Sequence, residues 1–305
     1  MKKFFFLIIL YTLSLNLFAQ SKEKTEIAIN SMIFVETKDD NTYQGKLLSK
    51  TAESLKMETS IGEIEIKTAN IRKYSALDKV KVVGGKVWYE NPNATRYLFA
   101  PSAFNLKKGE GYYQNTGVFL NQVSYGFTDN FTCGLGTIPL FLNPEIAKYS
   151  PIWLTPKFNF NTKNSKIRAS VGTISMFAPF ADGDFSNVGI IYGMGTYGSR
   201  DNNVSVGLGW GYSTDFSGSG SNIAKRPTIN LSGMYRASKN GYIVGEFWNA
   251  KFDQDVDNSF NILILSYRHT LKSISIDLGV ARFQYDVGGV TLPWLGVAIP
   301  FGKKY

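Results

Sequence analysis

Histidine and cysteine, the residues most often used as bases, nucleophiles and metal ligands, occur once each, as His269 and Cys133. One imidazole cannot build a multi-histidine zinc site, and one thiol cannot form an internal disulfide. Ser266 lies three residues before His269, so the two side chains of an extended strand point to opposite faces. A nucleophile and its base must approach hydrogen-bond distance. We therefore predict no catalytic residues. Cys133 shares strand parity with the apolar residues Phe131 and Leu135, so we expect it to face lipid or a core as an apolar residue.

Two further motifs resemble ligand sites without their required context. The run Gly193-Met194-Gly195-Thr196-Tyr197-Gly198 has the GxGxxG spacing, but its neighbours read as one continuous strand, with no helix to carry a dinucleotide. Asp253, Asp255 and Asp257 alternate like the start of a calcium loop, which would also need a glycine and a distal glutamate. We predict no cofactor and no metal, and a solvated acidic loop at the aspartates.

Charged residues within apolar strands are the most informative chemistry in the chain. The five candidates are Lys157, Arg168, Arg236, Glu246 and Asp277. On a lipid-facing surface each charge would cost a few kcal/mol, so an enclosed lumen is the expected location. Two interpretations stay open. The charges form a constriction that selects solutes, or they form an internal salt-bridge network that plugs a narrow barrel.

The elements that must position these charges are long alternating segments, and none reads as a helix. Twelve predicted strands are Ala94–Asn105, Tyr112–Phe127, Phe131–Pro139, Ser150–Asn161, Lys166–Ala178, Asn187–Gly198, Asn203–Ser213, Pro227–Ser238, Tyr242–Phe252, Ser259–Thr270, Ser273–Gln284 and Gly289–Phe301. Most reach the roughly 9–11 residues that a tilted strand needs to cross a bilayer. The predicted fold is an all-β, about 12-stranded antiparallel transmembrane β-barrel.

The alternation within these strands favours a membrane barrel over a soluble one. Between residues 203 and 212, one face carries valine, leucine, tryptophan and tyrosine, and the other carries asparagine, serine and glycine. Residues 273–281 and 152–160 show the same separation. A membrane barrel turns its apolar face to lipid and its small or polar face to the lumen. Aromatic residues near many strand ends fit the interfacial girdles of such barrels.

The connections between the strands give an independent test. The segments near 129, 163, 201, 239 and 272 are short, whereas most of the alternating connections are longer, as at 140–149 and 214–226. Outer-membrane barrels have short periplasmic turns and long extracellular loops. This asymmetry places both ends of the barrel on the periplasmic side.

The N-terminus indicates export. Lys2 and Lys3 precede an apolar run from Phe4 to Phe18, and the small residue Ala19 follows, as in a secretory signal. Removing the two lysines changes the net charge from +9 to about +7, and the remaining excess is diffuse. Nucleic-acid binding is therefore not expected. The mean hydropathy of −0.11 is compatible with a β-barrel, because its two faces offset each other.

A small β-unit precedes the predicted barrel. Short alternating segments occur at Met32–Thr37, Thr42–Ser49, Ser54–Thr59, Glu63–Lys67 and Ala69–Lys73. Tyr43, Gly45 and Gly62 among them resemble the Sm family, which implies a small SH3/Sm-like barrel. The predicted organisation is a signal peptide over 1–19, the small domain over 20–79, a linker with a hairpin over 80–93, and the barrel over 94–305.

The stretches Asn91–Tyr97, Leu106–Asn115 and Val123–Phe131 resemble uncharacterised outer-membrane β-barrel proteins of Gram-negative bacteria. The resemblance implies a fold and a location in the outer membrane, with the small domain in the periplasm, and it implies no reaction and no site residues. We predict a passive small-solute pore or a structural membrane protein. The alternatives are a lipid-modifying outer-membrane enzyme and a secreted soluble β-protein that binds a ligand. The expected partners are outer-membrane lipids, with room for a periplasmic partner of the small domain.

Overall fold

The computed structural model describes residues 27–76, 81–83, 86–88, 90–139, 149–162, 164–179, 185–215, 220–251, 259–271, 274–285 and 288–302. The predicted signal peptide and the acidic residues at 253–257 lie outside the described residues. The chain divides into two compact units, one ending at Glu90 and the other beginning at Asn91. No helix among the described residues is long and apolar enough to span a membrane.

The N-terminal unit is a five-stranded antiparallel sheet with the strand order β4-β3-β2-β1-β5. Its strands are β1 (Met32–Thr37), β2 (Thr42–Lys50), β3 (Ser54–Thr59), β4 (Gly62–Lys67) and β5 (Ile71–Ala76). The alternate apolar residues form one core that includes Ile33, Val35 and Leu47. Gly62 has a φ of +112°, a conformation that a side chain would oppose, and it starts the hairpin return from β3.

Two details of this unit differ from the prediction or extend it. The fifth strand begins at Ile71 rather than Ala69, because Thr68–Asn70 forms a short 3-10 turn. Within the predicted linker, β6 (Lys81–Val83) pairs with β7 (Lys86–Trp88).

The second unit is a closed antiparallel barrel. Its strands are β8 (Glu110–Thr116), β9 (Leu120–Thr128), β10 (Phe131–Thr137), β11 (Ile152–Leu154), β12 (Lys157–Asn161), β13 (Ile167–Pro179), β14 (Phe185–Gly198), β15 (Asn203–Asp215), β16 (Gly220–Ile223), β17 (Thr228–Arg236), β18 (Gly241–Lys251), β19 (Ser259–Thr270), β20 (Ser275–Tyr285) and β21 (Gly288–Gly302). The last strand pairs with the first, so the ring has no open edge.

The predicted strand number is confirmed. Strands β11 and β12 both pair with β10 and β13, so they are two halves of one strand interrupted before Lys157. Strand β16 pairs only with the end of β15 and stands outside the ring. In the part of the chain that the structure describes, twelve strands therefore close the barrel.

Two predicted strands are wrong in detail. Ala94–Asn105 forms no strand of the ring, and Tyr112–Phe127 is two strands, β8 and β9. These two strands are separated by a tight turn in which Gly117 and Val118 both have positive φ angles. One predicted strand is lost and one is divided, so the number of strands is unchanged. Alternation alone cannot distinguish a strand of the wall from a segment of turns and bends that the wall encloses.

The predicted faces are confirmed. In β15, Val206 is 54 % exposed on the outer surface, whereas Ser205 is 1 % exposed on the inner one. In β20, Leu278 is exposed and Asp277 is buried, and in β12 the same holds for Phe158 and Lys157. The barrel therefore has an apolar exterior and carries its polar and charged strand residues on the inner face, the reverse of a soluble barrel.

The two ends of the barrel differ in their connections. The short-turn end has the connections at 129–130, 162–166, 199–202, 237–240 and 271–274. The long-loop end has the connections at 117–119, 138–151, 180–184, 216–227, 252–258 and 286–287. The connections at 117–119, 180–184 and 286–287 are no longer than the longest turn opposite, so the predicted asymmetry rests on the connections at 138–151, 216–227 and 252–258.

Candidate functional site

The lumen contains part of the chain itself. Residues 91–107, here called the inserted segment, enter the barrel just before β8. Asn91 donates to the carbonyl of Arg200 at 2.9 Å, and the N–H of Lys108 donates to Asp129 Oδ1 at 2.9 Å. Both partners lie in connections of the short-turn end. The inserted segment therefore enters and leaves at that end.

Within the lumen the inserted segment folds back as a hairpin. The Tyr97 N–H donates to the Ala100 carbonyl at 2.8 Å, and the Ser102 N–H donates to the Thr95 carbonyl at 3.1 Å. Most of the segment is buried, but Phe99 at its tip is 47 % exposed. A polar backbone with few hydrogen bonds of its own needs partners from the barrel wall. The predicted charged residues supply several of them.

Glu246 holds the tip of the hairpin. Its carboxylate accepts the N–H groups of the three tip residues Leu98, Phe99 and Ala100, each at 2.9 Å. It also accepts the indole N–H of Trp248 at 2.6 Å. Successive backbone N–H groups form an anion-binding concavity, and here a carboxylate of the barrel wall occupies it. Glu246 therefore anchors the tip at mid-barrel.

Asp277 belongs to a buried ion-pair cluster. Arg268 donates to both carboxylate oxygens of Asp277, from Nε at 2.5 Å and from Nη2 at 3.0 Å. Arg96 of the inserted segment approaches the same carboxylate at 3.5 Å. Arg268 also donates to the carbonyl of Tyr97 at 2.6 Å. The cluster thus links two barrel strands to the inserted segment.

Lys157 binds both arms of the hairpin. Its ammonium group donates to the carbonyl oxygens of Phe104 at 2.7 Å, Ser102 at 2.8 Å and Thr95 at 3.2 Å. An ammonium group has three donors, and all three are used here on the inserted segment. This geometry matches the plugging interpretation more closely than that of a charge facing a solute.

The remaining two candidates lie nearer the short-turn end. The Arg168 guanidinium stacks over the ring of Phe104, with 5.2 Å between its Cζ and the ring centroid. Arg236 donates to Asp201 at 2.9 Å and to the carbonyl of Lys239 at 2.7 Å, both in short turns. Four of the five candidates therefore contact the inserted segment, namely Lys157, Arg168, Glu246 and Asp277, whereas Arg236 belongs to a separate turn network.

Sequence reasoning missed Arg96, Tyr97 and Arg268. Arg268 shares parity with the polar residue Ser266 in β19, and that signal could have identified it. Arg96 and Tyr97 belong to the segment predicted as a strand of the wall. The alternation of apolar and polar residues therefore gave no indication that they lie inside the lumen. The Tyr97 hydroxyl lies 2.6 Å from both Asn203 Oδ1 and Ser205 Oγ on the inner face of β15.

The structure separates the two residues considered for catalysis and places the GxGxxG run within a strand. His269 is exposed, and Ser266 is buried on the opposite face of the strand, as predicted. The GxGxxG run lies in β14, which pairs with antiparallel strands on both sides. Among the described residues, no group of three or more potential metal ligands is found.

No protein-family model matches the chain. No curated protein matches it either. Among solved structures, the KdgM porin is 12 % identical over 63 % of this chain and 98 % of its own, with a TM-score of 0.42. The outer-membrane protein OmpT of Vibrio cholerae is 9 % identical over 89 % and 94 %, with a TM-score of 0.39. An anion-selective porin from Comamonas acidovorans is 13 % identical over 89 % and 96 %, with a TM-score of 0.35. These values are too low to indicate a shared function, and the strand pairing alone establishes the barrel.

Proposed function

We propose that the protein is an outer-membrane β-barrel that acts as a passive channel for small solutes, with a lumen narrowed by residues 91–107. The observation that carries the proposal is the separation of the two faces of a closed ring. Large apolar side chains stay exposed on the outside of strands all around the barrel, for example Val123, Phe158, Ile191, Leu231 and Leu265. Lipid would remove this surface from water, whereas a soluble protein would leave it exposed.

The N-terminal sequence supports the orientation. A secretory signal carries the chain across the inner membrane, and the short-turn end of an outer-membrane barrel faces the periplasm. The inserted segment then enters the lumen from the periplasmic side. We assign the N-terminal unit to the periplasm as an SH3/Sm-like domain, on the basis of its five short antiparallel strands and single core.

The inserted segment decides how such a channel would behave. Its hydrogen bonds to the barrel wall include charged groups from three separate strands, at Lys157, Glu246 and Arg268. Buried charges are costly to leave unpaired, so the segment leaves the lumen only when these contacts are replaced. A passive channel of this design conducts little until the tip is released. A structural membrane protein, the second candidate, would keep the segment in place permanently.

Planar-bilayer conductance separates the two candidates. The comparison uses the full-length protein, Glu246→Ala and the matched control Asn230→Ala. Asn230 is buried on the inner face and bonds to the wall residues Phe247 and Ser232. For a channel we expect larger or more frequent openings in Glu246→Ala, while the control resembles the original protein. A structural protein gives no conductance with any of the three.

Heat-modifiable gel migration and membrane fractionation test the location and folding of the same proteins. A folded outer-membrane barrel fractionates with the outer membrane and migrates faster before boiling than after it. Solubility without detergent would overturn the membrane assignment. Absence of conductance in all three proteins, despite a folded barrel, would overturn the channel and leave the structural candidate.

A further inference from the structure

The inner wall of the barrel changes character between its two ends. On strands β18–β21, the inner positions near the short-turn end include Arg268 and Asp277, which are buried and paired. Toward the long-loop end, the inner positions of the same four strands are apolar. Asp277 and Phe283 are six residues apart on β20, a distance of roughly 20 Å along a strand. The polar and apolar parts of the lumen are therefore distinct regions.

The apolar region is built from cross-strand rows. Trp248 is paired with Ile262, Ile262 with Phe283, and Phe283 with Val290, so one row runs across all four strands. Directly paired residues of antiparallel strands share a face. The row therefore lies on the inner face, where Trp248, Ile262 and Phe283 also pack against buried core residues. Leu292, two residues along from Val290, shares its face.

Aromatic rings stiffen this wall. Phe260 stacks with Phe283, with their ring centroids 6.1 Å apart, and its ring lies 4.6 Å from that of Tyr285. At the base, the exposed ring of Phe99 meets Trp248 edge to face at 6.2 Å. Such pairs hold aromatic side chains in fixed positions. The tip of the inserted segment thus closes the bottom of an apolar recess, here called the aromatic cup.

The cup remains exposed although it is apolar and concave. Val290 is 45 % exposed and Leu292 is 47 % exposed, as is Phe99. On the outer surface such exposure is explained by lipid, but these side chains face the lumen. Concave apolar surfaces of this kind are the usual form of small-molecule sites. The exposure therefore points to an occupant.

The surroundings define the chemistry of that occupant. Glu246, the nearest acid on these strands, is engaged by the inserted tip, and Arg282 lies on the opposite face of β20, paired with exposed Leu263. The indole N–H of Trp294 is buried and has no hydrogen-bond partner among the described residues. The neighbouring polar residue Asn230, paired with Trp248, is already hydrogen-bonded to Ser232 and to the Phe247 carbonyl. The cup therefore offers few free polar groups to a solute. Flat ring molecules match the stacked aromatic side chains.

We propose that the aromatic cup binds small, uncharged aromatic compounds of one or two rings. This proposal rests on the proposed channel, and it identifies small aromatic compounds as the class of solute that the channel binds at its long-loop end. Binding does not itself require conduction, so failure of the channel proposal and failure of this one are distinguishable. The binding event is noncovalent and places the ring against Phe283 and Leu292 above the Phe99 tip.

The test is equilibrium dialysis of radiolabelled naphthalene against the full-length protein in lipid nanodiscs, with empty nanodiscs subtracted for partition into lipid. Leu292→Ala is compared with Leu295→Ala, which removes the same atoms from the same strand on the outer face, where Leu295 is 41 % exposed. We expect saturable binding that Leu292→Ala weakens by about tenfold and Leu295→Ala leaves unchanged.

Several results would overturn the proposal. These are uptake no greater than that of empty nanodiscs, uptake that does not saturate, and equal effects of Leu292→Ala and Leu295→Ala. Heat-modifiable migration verifies that each variant is folded. If Leu292→Ala does not fold, Val290→Ala replaces it, because Val290 lies on the same face and is similarly exposed. Unchanged binding in that variant would also contradict a site in the cup.

Discussion

Truncation of Glu246 should release the tip of the inserted segment. The Glu246→Ala change leaves the N–H groups of Leu98, Phe99 and Ala100 and the indole of Trp248 without their acceptor. Each unsatisfied buried donor costs about 1–3 kcal/mol. Water entering the lumen offsets part of this, so we take about 3 kcal/mol, below the summed cost of four unsatisfied donors. The free energy needed to open the tip falls by that amount.

Hydrogen–deuterium exchange measures this directly at residues 98–100. A decrease of about 3 kcal/mol raises the population of the open tip, and with it the exchange rate, by roughly 100-fold. Glu246→Gln keeps the shape of the side chain but has one acceptor oxygen instead of two, so we expect an intermediate rate. Asn230→Ala is the control, because it removes a buried polar side chain of the neighbouring strand whose hydrogen bonds go to Phe247 and Ser232 of the wall and not to the inserted segment.

The reasoning fails if exchange at the tip changes by less than about threefold in Glu246→Ala, a change worth under 1 kcal/mol. It also fails if exchange rises equally in Asn230→Ala, because the effect would then reflect general loosening of the barrel. Heat-modifiable migration of both variants must show a folded barrel before the rates are compared.

Three further predictions test other parts of the molecule. Lys157→Met removes the donor of three carbonyl oxygens, and we expect exchange over residues 102–106 to rise roughly tenfold or more; an unchanged rate would contradict the plugging role. Val206→Arg places a charge on the outer face and should destabilise refolding into lipid vesicles by about 2–4 kcal/mol in urea titrations, whereas a soluble barrel would tolerate it. Leu47→Ala should destabilise the N-terminal unit by about 2–5 kcal/mol in thermal unfolding and leave the heat-modifiable migration of the barrel intact; loss of both would show that the units do not fold independently.

The barrel wall was predictable because each strand carries its two environments in alternate residues. Val206 and Ser205 identify the outer and inner faces of β15 without any knowledge of its neighbours, and Lys157 and Asp277 follow the same parity. The opposite faces of Ser266 and His269 are predictable for the same reason. Local spacing contains this information because side chains of a strand alternate regardless of what the strand packs against.

The inserted segment was not predictable in this way. Residues 94–105 form turns and bends with one isolated bridge between Arg96 and Pro101, although their local sequence pattern resembles that of a wall strand. What excludes them from the ring is the direct pairing of β21 with β8, which closes the barrel without them. The partners of this segment are distant in sequence. Glu246 is about 150 residues from the tip it holds, and Arg268 is 171 residues from Tyr97.

The sequence by itself determined the class of the barrel and the orientation of its strand faces. It also determined that Ser266 and His269 lie on opposite faces of one strand. All three depend on local periodicity. Only the tertiary structure decided that the charged residues hold part of the chain inside the lumen, and that an aromatic cup remains above its tip. Those features arise where strands far apart in sequence converge on one enclosed space, and local spacing contains no record of that convergence.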